Sequence, residues 1–226
     1  MLYSLLIRLV SGLLRLVNGK GHYEYHEDFD AEKTYMVVAP HRSWFDPVAV
    51  AIALYPKKVA FVAKEEVFSN ALFSWLFNQL GVIPINRDKP QAKSIKAAVR
   101  VLKGGEKHLG IFPTGSRYSD EIKPGAVAIA KMAKTDILPV VFQGPMTLGQ
   151  IFSRKPENRI QVRVGQTIPM PDVKRLSKEQ SQALETAMKD AFTENDAILN
   201  PDYFYDLDAA KRDHDERIAR RQQKKR

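Results

Sequence analysis

His41 and Asp46 place an imidazole and a carboxylate five positions apart within HRSWFD (41–46). A loop that turns two such groups toward each other makes a base and its orienting partner, the minimal equipment of a proton-transfer site. The carboxylate accepts a hydrogen bond from one ring nitrogen and fixes the tautomer, which leaves the other nitrogen to take a proton. The spacing alone names the proton acceptor and leaves its substrate open. The chain has no cysteine, which excludes a thiolate nucleophile, a disulfide framework and a cysteine-ligated metal. His22 and His26 stand four apart near Glu24 and Glu27, but in a polar segment without helical context. They are read as hydrated side chains, so no metal and no cofactor are expected.

The elements that must position the pair can be read around it. TYMVVAP (34–40) has the form of a short buried strand, followed by the HRSWF loop. Asp46-Pro47 then reads as a helix N-cap with proline at the first helical position, opening the apolar run VAVAIAL (48–54). Residues 21–33, rich in Glu, Asp and His, are read as a loop. Downstream, KVAFVA (58–63) is a strand and VFSNALFSWLFNQLG (67–81) contains an amphipathic helix closed by Gly81. GVIPIN (81–86) is a short strand, and KPQAKSIKAAVRVLK (89–103) a helix stopped by Gly104-Gly105. HLGIFP (108–113), DILPVVF (136–142) and RIQVRVGQ (159–166) are strands, with the helix GAVAIAKMA (125–133) between the first two. Ser177 begins a helix whose Ala183, Leu184, Ala187, Met188, Ala191 and Phe192 share one face. This alternation predicts a single α/β domain with a largely parallel central sheet flanked by helices, its ligand loops at the carboxyl ends of the strands.

With those blocks in place a resemblance emerges. PHRSWFD (40–46) resembles the His-x4-Asp motif of the 1-acylglycerol-3-phosphate O-acyltransferase family. FVAKEEVF (61–68) is similar to that family's lysine-containing segment, GVIPINR (81–87) to its arginine-bearing second motif, and FPTGSR (112–117) to its Phe-Pro-Glu-Gly-Thr-Arg motif. ILPVVF (137–142) is similar to its later Val-Pro strand, so the resemblance runs in order over residues 36–145. It implies transfer of an acyl group from an acyl thioester, on CoA or acyl carrier protein, to the free hydroxyl of a 1-acylglycerol 3-phosphate, forming phosphatidic acid. His41 and Asp46 are then the catalytic pair. Lys64, Arg87 and Arg117 bind the acceptor phosphate, with Thr114, Gly115 and Ser116 supplying close backbone and hydroxyl contacts. Thr114 stands where the family has glutamate, and Pro40 where it often has asparagine. The first departure keeps two alternatives open: another lysophospholipid or glycerol 3-phosphate as acceptor, or a catalytically silent lipid-binding homologue.

Residues 1–20 form an amphipathic membrane-anchoring segment, 21–200 the acyltransferase domain and 201–226 a charged, net-basic tail in this reading. MLYSLLIRLVSGLLRLVN (1–18) is apolar except for one stripe of Ser4, Arg8, Ser11, Arg15 and Asn18. At 1.5 Å per residue it reaches only ~27 Å, and two arginines interrupt it, so it is expected to lie on a bilayer rather than span it. No basic region precedes the apolar run and no cleavage signature follows, so it is not read as a secretory signal. The net charge is +9, with eight Lys/Arg against three acidic residues in 211–226. Together with the apolar N-terminus, this favours an anionic membrane surface over nucleic acid, for which no motif with interleaved aromatics is present. The expected location is peripheral, on the cytoplasmic face of the membrane, with lysophospholipid acceptor and thioester donor, possibly on acyl carrier protein, as partners.

Overall fold

The computed structural model describes residues 2–86 and 91–223. Seven strands form one sheet: β1 (His22–Tyr25), β2 (Met36–Val38), β3 (Lys58–Lys64), β4 (Ile83–Ile85), β5 (Lys107–Ile111), β6 (Ile137–Gln143) and β7 (Gln161–Val164). Their spatial order is β1-β7-β6-β2-β5-β3-β4. Every neighbouring pair is parallel except β6 with β7, so β7 and β1 run against the other five strands. The helices are α1 (Leu2–Val17), α2 (Asp46–Ala53), α3 (Ala71–Leu80), α4 (Ala92–Gly104), α5 (Gly125–Ala133), α6 (Leu148–Ile151), α7 (Lys178–Leu199) and α8 (Leu207–Gln223).

Helices cover both faces of the sheet, which explains why β2 and β6 read as unbroken apolar runs rather than alternating ones. Val37 of β2 and Leu138, Val140 and Phe142 of β6 pack with Leu14 of α1 and Ala49, Val50 and Ala53 of α2. Met36, Val38, Ile137 and Val141 point the other way, into a core with Leu102 of α4, Ile129 of α5 and Leu184, Met188 and Phe192 of α7. The predicted α7 face is therefore the buried one, and Ser177 caps it with a reciprocal bond to Gln180.

Two local readings change. Residues 22–25 are a strand rather than part of a loop, paired in parallel with β7. Four polar-edged residues give too short a pattern to read, and the strand exists because β7 offers it an open edge. Its Glu24 stands opposite Arg163, whose Nη1 donates to it at 2.8 Å. Asp46 is the first residue of α2 rather than its cap, and its side chain caps nothing on the helix. Pro47 accordingly occupies the second helical position, where a missing N–H costs no intrahelical bond. The carboxylate is turned instead toward the preceding loop, where stronger demand awaits it.

α1 is fastened at both ends. The Tyr3 hydroxyl accepts a bond from Val59 N at 3.0 Å, and buried Asn18 donates to the carbonyls of Gln150, Ser153 and Asn158 while accepting from Ile160 N. Among the described residues no helix is long and apolar enough to cross a membrane.

Candidate active site

β2 ends beneath the loop that carries His41, and three donors of that loop converge on Asp46. Its Oδ2 receives His41 Nδ1 at 2.8 Å, Arg42 N at 2.7 Å and Ser43 N at 2.8 Å. The carboxylate is 2 % exposed. Compensation by two backbone N–H groups and an imidazole keeps a buried anion tolerable there. With Nδ1 donating to Asp46, the lone pair of His41 is on Nε2, and the ring is partly open to solvent. One ring face stacks on Phe112 at 4.5 Å between centroids, and Phe112 stacks on Phe61 at 5.9 Å. β5 delivers Phe112 and β3 delivers Phe61, so adjacent strands fix the imidazole plane that the loop alone would leave free.

His41 forms part of the wall of two cavities. On one side is a charged cleft of about 470 Å³ that includes Arg42, Thr114, Asp120, Lys189, Asp196, Tyr203 and Tyr205. On the other is an apolar cavity of about 330 Å³ bounded by Tyr3 and Ile7 of α1, Val48 and Ala51 of α2, Phe61 of β3 and Phe77 and Leu80 of α3. An imidazole between a polar chamber and an apolar one is placed to meet a molecule with a charged head and a hydrocarbon tail.

The charged cleft owes its shape to residues that spacing could not reveal. Arg42 grips Asp196 through both terminal guanidinium nitrogens, with Nη1 to Oδ1 at 2.9 Å, and Gln143 Nε2 adds a bond to the same Oδ1 at 3.0 Å. The guanidinium also lies over the rings of Tyr203 and Tyr205, at 5.2 and 5.6 Å from their centroids. Burial pushes the Tyr203 phenol up to about 12, so it stays neutral beside that cation. Residues 201–205, the start of the expected tail, thus fold over the cleft. A paired, buried Arg–Asp contact between the loop and α7 orders the loop from outside as Asp46 does from within.

The remaining expected site residues distribute unevenly. Thr114 is buried in the charged cleft, its hydroxyl donating to Ser116 O at 2.9 Å. Gly115 has φ of 69°, a left-handed conformation that favours glycine, and borders a smaller recess shared with Lys123. Lys123 lies outside the family-like blocks, and only the fold brings it to this recess. Lys64 lines the apolar cavity with its ammonium 2.7 Å from Glu66. Ser116 and Arg117 border none of these three cavities; Arg117 O accepts from Tyr205 Oη at 3.0 Å and its guanidinium lies toward the Tyr118 ring. Arg87 lies outside the described residues.

Comparison with known proteins places the chain in a family. A family model described as Acyltransferase matches residues 21–143. A 1-acyl-sn-glycerol-3-phosphate acyltransferase of Streptococcus pneumoniae is 40 % identical over 193 residues, covering 85 % of this chain and 72 % of that protein. One of Bacillus subtilis with the same description is 28 % identical over 196 residues, covering 85 % and 96 %. The crystal structure of the 1-acyl-sn-glycerophosphate (LPA) acyltransferase of Thermotoga maritima shares the fold, with a TM-score of 0.56 at 19 % identity over 84 % of this chain and 81 % of that one. With a family model over more than half its length and a relative at 40 % identity, the chain belongs to the 1-acylglycerol-3-phosphate O-acyltransferase family and is an O-acyltransferase.

Proposed function

We propose that the protein transfers a fatty acyl group from an acyl thioester, on CoA or acyl carrier protein, to the free hydroxyl of 1-acylglycerol 3-phosphate, with His41 as general base and Asp46 as its orienting partner. The observation that carries this reading is the position of His41: Nδ1 bound to Asp46, with the ring facing both a charged cleft and an apolar cavity. Nε2 takes the proton as the acceptor oxygen attacks the thioester carbonyl carbon. The C–S bond then breaks, and the imidazolium returns the proton to the departing thiolate. The carboxylate stabilises the imidazolium while it lasts, and neither a covalent enzyme intermediate nor a metal is needed. The apolar cavity suits hydrocarbon and the cleft suits a polar head, although its Arg42 and Lys189 are each already paired with a carboxylate, Asp196 and Asp120. The net charge of +9 and the greasy face of α1 support a peripheral, monotopic position on the cytoplasmic side of the membrane, where both lipids are met.

Thr114 supports a second reading of the acceptor. Its buried hydroxyl is engaged with Ser116 O where the family carries a carboxylate, which favours a related lysophospholipid or glycerol 3-phosphate as the alternative. Detergent-solubilised protein supplied with acyl thioester and each acceptor in turn, with thiol release followed, separates the two. His41→Ala abolishes release, by ~10³-fold or more, while Thr114→Glu stays within about tenfold of the parent. Equal residual turnover in the two variants removes His41 from the reaction.

A further inference from the structure

The helices on the two sides of the sheet present different surfaces to solvent. On the side of α1 and α2, α3 is uncharged and apolar, and none of its residues is buried. On the opposite side α4, AKSIKAAVRVLKG, packs Ala98 and Leu102 into the core and contains no acidic residue. Its Lys93, Lys96, Arg100 and Lys103 recur at steps of three and four, which sets them in one outward stripe. All four are exposed, and among the described residues none of them has a carboxylate partner. Like charges at this spacing repel along a helix, and Lys93 in the first turn also opposes the helix dipole. The repulsion is left uncompensated within the chain, and an acidic partner relieves it.

The stripe borders an apolar floor. Lys96, Arg100 and Lys103 edge a groove of about 300 Å³ that also includes Ile95, Val99 and, from α5, Met132. Met132 is 48 % exposed, and a methionine side chain adapts to the surface packed on it. The groove also lies within reach of the chemistry. α4 begins after β4 ends, so its first turn stands at the same edge of the sheet as the His41 loop. On this side of the sheet, at the head of α5, the recess of Ile85, Lys123 and Ala126 ends on Phe112, the ring that stacks on His41. Among the described residues the Lys123 side chain is unpaired.

We propose that the α4–α5 groove docks an acyl carrier protein, an acidic helical domain bearing its acyl thioester on a flexible phosphorylated arm. An acidic helix of the carrier lies along the stripe from Lys93 to Lys103, and the arm passes Lys123 and Phe112 to bring the thioester to His41. The inference rests on the acyl-transfer reading of His41 and chooses between its two donors. The stripe extends about 15 Å, close to three turns of helix, and CoA by itself leaves most of it unused. Position separates the partner from lipid, because α4 lies on the face opposite α1, whose greasy side is the one assigned to the bilayer. Basic residues around a small apolar centre suit a transient protein partner, with charge steering the encounter.

The full chain in detergent is given 1-acylglycerol 3-phosphate and either palmitoyl-acyl carrier protein of the same organism or palmitoyl-CoA, and formation of phosphatidic acid is followed. Lys96→Glu with Arg100→Glu is expected to lower kcat/KM for the carrier donor roughly hundredfold, chiefly through KM, and to leave the CoA reaction within about twofold. Met132→Ser is expected to act in the same direction by about fivefold. Added salt weakens the carrier reaction of the parent far more than that of the double variant. Both variants change exposed side chains and keep the melting temperature of the parent. Equal losses with the two donors overturn the docking site, as does an unchanged carrier KM or a parent that accepts CoA alone. Should neither donor be used, anisotropy of fluorescently labelled acyl carrier protein separates the two readings. Binding lost in the double variant then upholds the surface while the assigned reaction fails; equal binding by variant and parent, or none by either, overturns the surface. Loss of association with phosphatidylglycerol vesicles in the double variant, with carrier turnover intact, overturns it in favour of lipid.

Discussion

The central strands β2 and β5 present a histidine at each end, and the two ends have opposite fates. At the carboxyl end His41 lies against Phe112, has Asp46 on one nitrogen and leaves the other between two cavities. At the amino end His108, near the start of β5, stacks on Tyr35 at 5.8 Å and is wholly buried. Its Nδ1 accepts from Tyr35 N at 3.1 Å, which puts its proton on Nε2, and that atom has no hydrogen-bond partner among the described residues. Burial, with Lys57 nearby, lowers its pKa to about 4. Both rings have an aromatic neighbour and a fixed tautomer. What separates them is an anion able to stabilise a transient positive charge, and space for a reactant. Histidine is a proton carrier where both are supplied and a neutral packing piece where neither is.

The largest effect comes from making His41 resemble His108. Asp46→Asn keeps a carbonyl oxygen for the loop N–H groups but removes the charge that stabilises the imidazolium in the proposed mechanism. Turnover is expected to fall ~10³- to 10⁴-fold, with the acceptor KM changed only about threefold, as followed by thiol release at saturating donor. A loss below tenfold would erase the distinction between the two ends.

The next effect is read from the other end. The unfolded chain protonates His108 below about pH 6.5, whereas the folded protein resists to about pH 4. Across that window the unfolded state binds the extra proton, so stability is full above it and falls as pH drops, by about 3 kcal/mol in all. Denaturant titrations at intervals from pH 7 to pH 4.5 measure the slope. His108→Leu leaves Tyr35 N–H unanswered and lowers stability at every pH, but it flattens this slope; an unchanged slope would mean the ring titrates freely.

The smallest effect sharpens the contrast between the two cavities beside His41. Ala51→Leu projects from α2 into the apolar one. Each methylene displaced from it costs about 0.8 kcal/mol, roughly fourfold in kcat/KM. Donor preference is expected to move to acyl chains about two carbons shorter, with acceptor KM unaffected. A change confined to acceptor KM would assign hydrocarbon to the charged cleft instead.

Most of the scaffold was legible locally. Helix stops at Gly81 and Gly105, both with positive φ, and the Ser177 cap are single-residue decisions of backbone chemistry. β2, β5 and β6 announced themselves as apolar runs because both sheet faces are covered. β1 was silent, since four residues with polar edges become a strand only when β7 lies alongside. The site divided in the same way. His41 and Asp46 are close in sequence, so their meeting needed only one loop. Arg42 and Asp196 are 154 residues apart, and no local signal joins them.

The sequence by itself therefore determined the alternation of strands and helices, the His-Asp pair and the ordered blocks of an acyltransferase family, all properties of short windows. Tertiary structure alone decided that the Asp46 carboxylate serves the His41 loop rather than its helix, because three donors converge on one oxygen there. It also decided that residues near 203 close a cleft on residue 42, that His108 stays neutral, and that the apolar α3 remains uncovered. Each depends on which distant surfaces exclude water from one another, and burial of that kind is a property of the assembled chain.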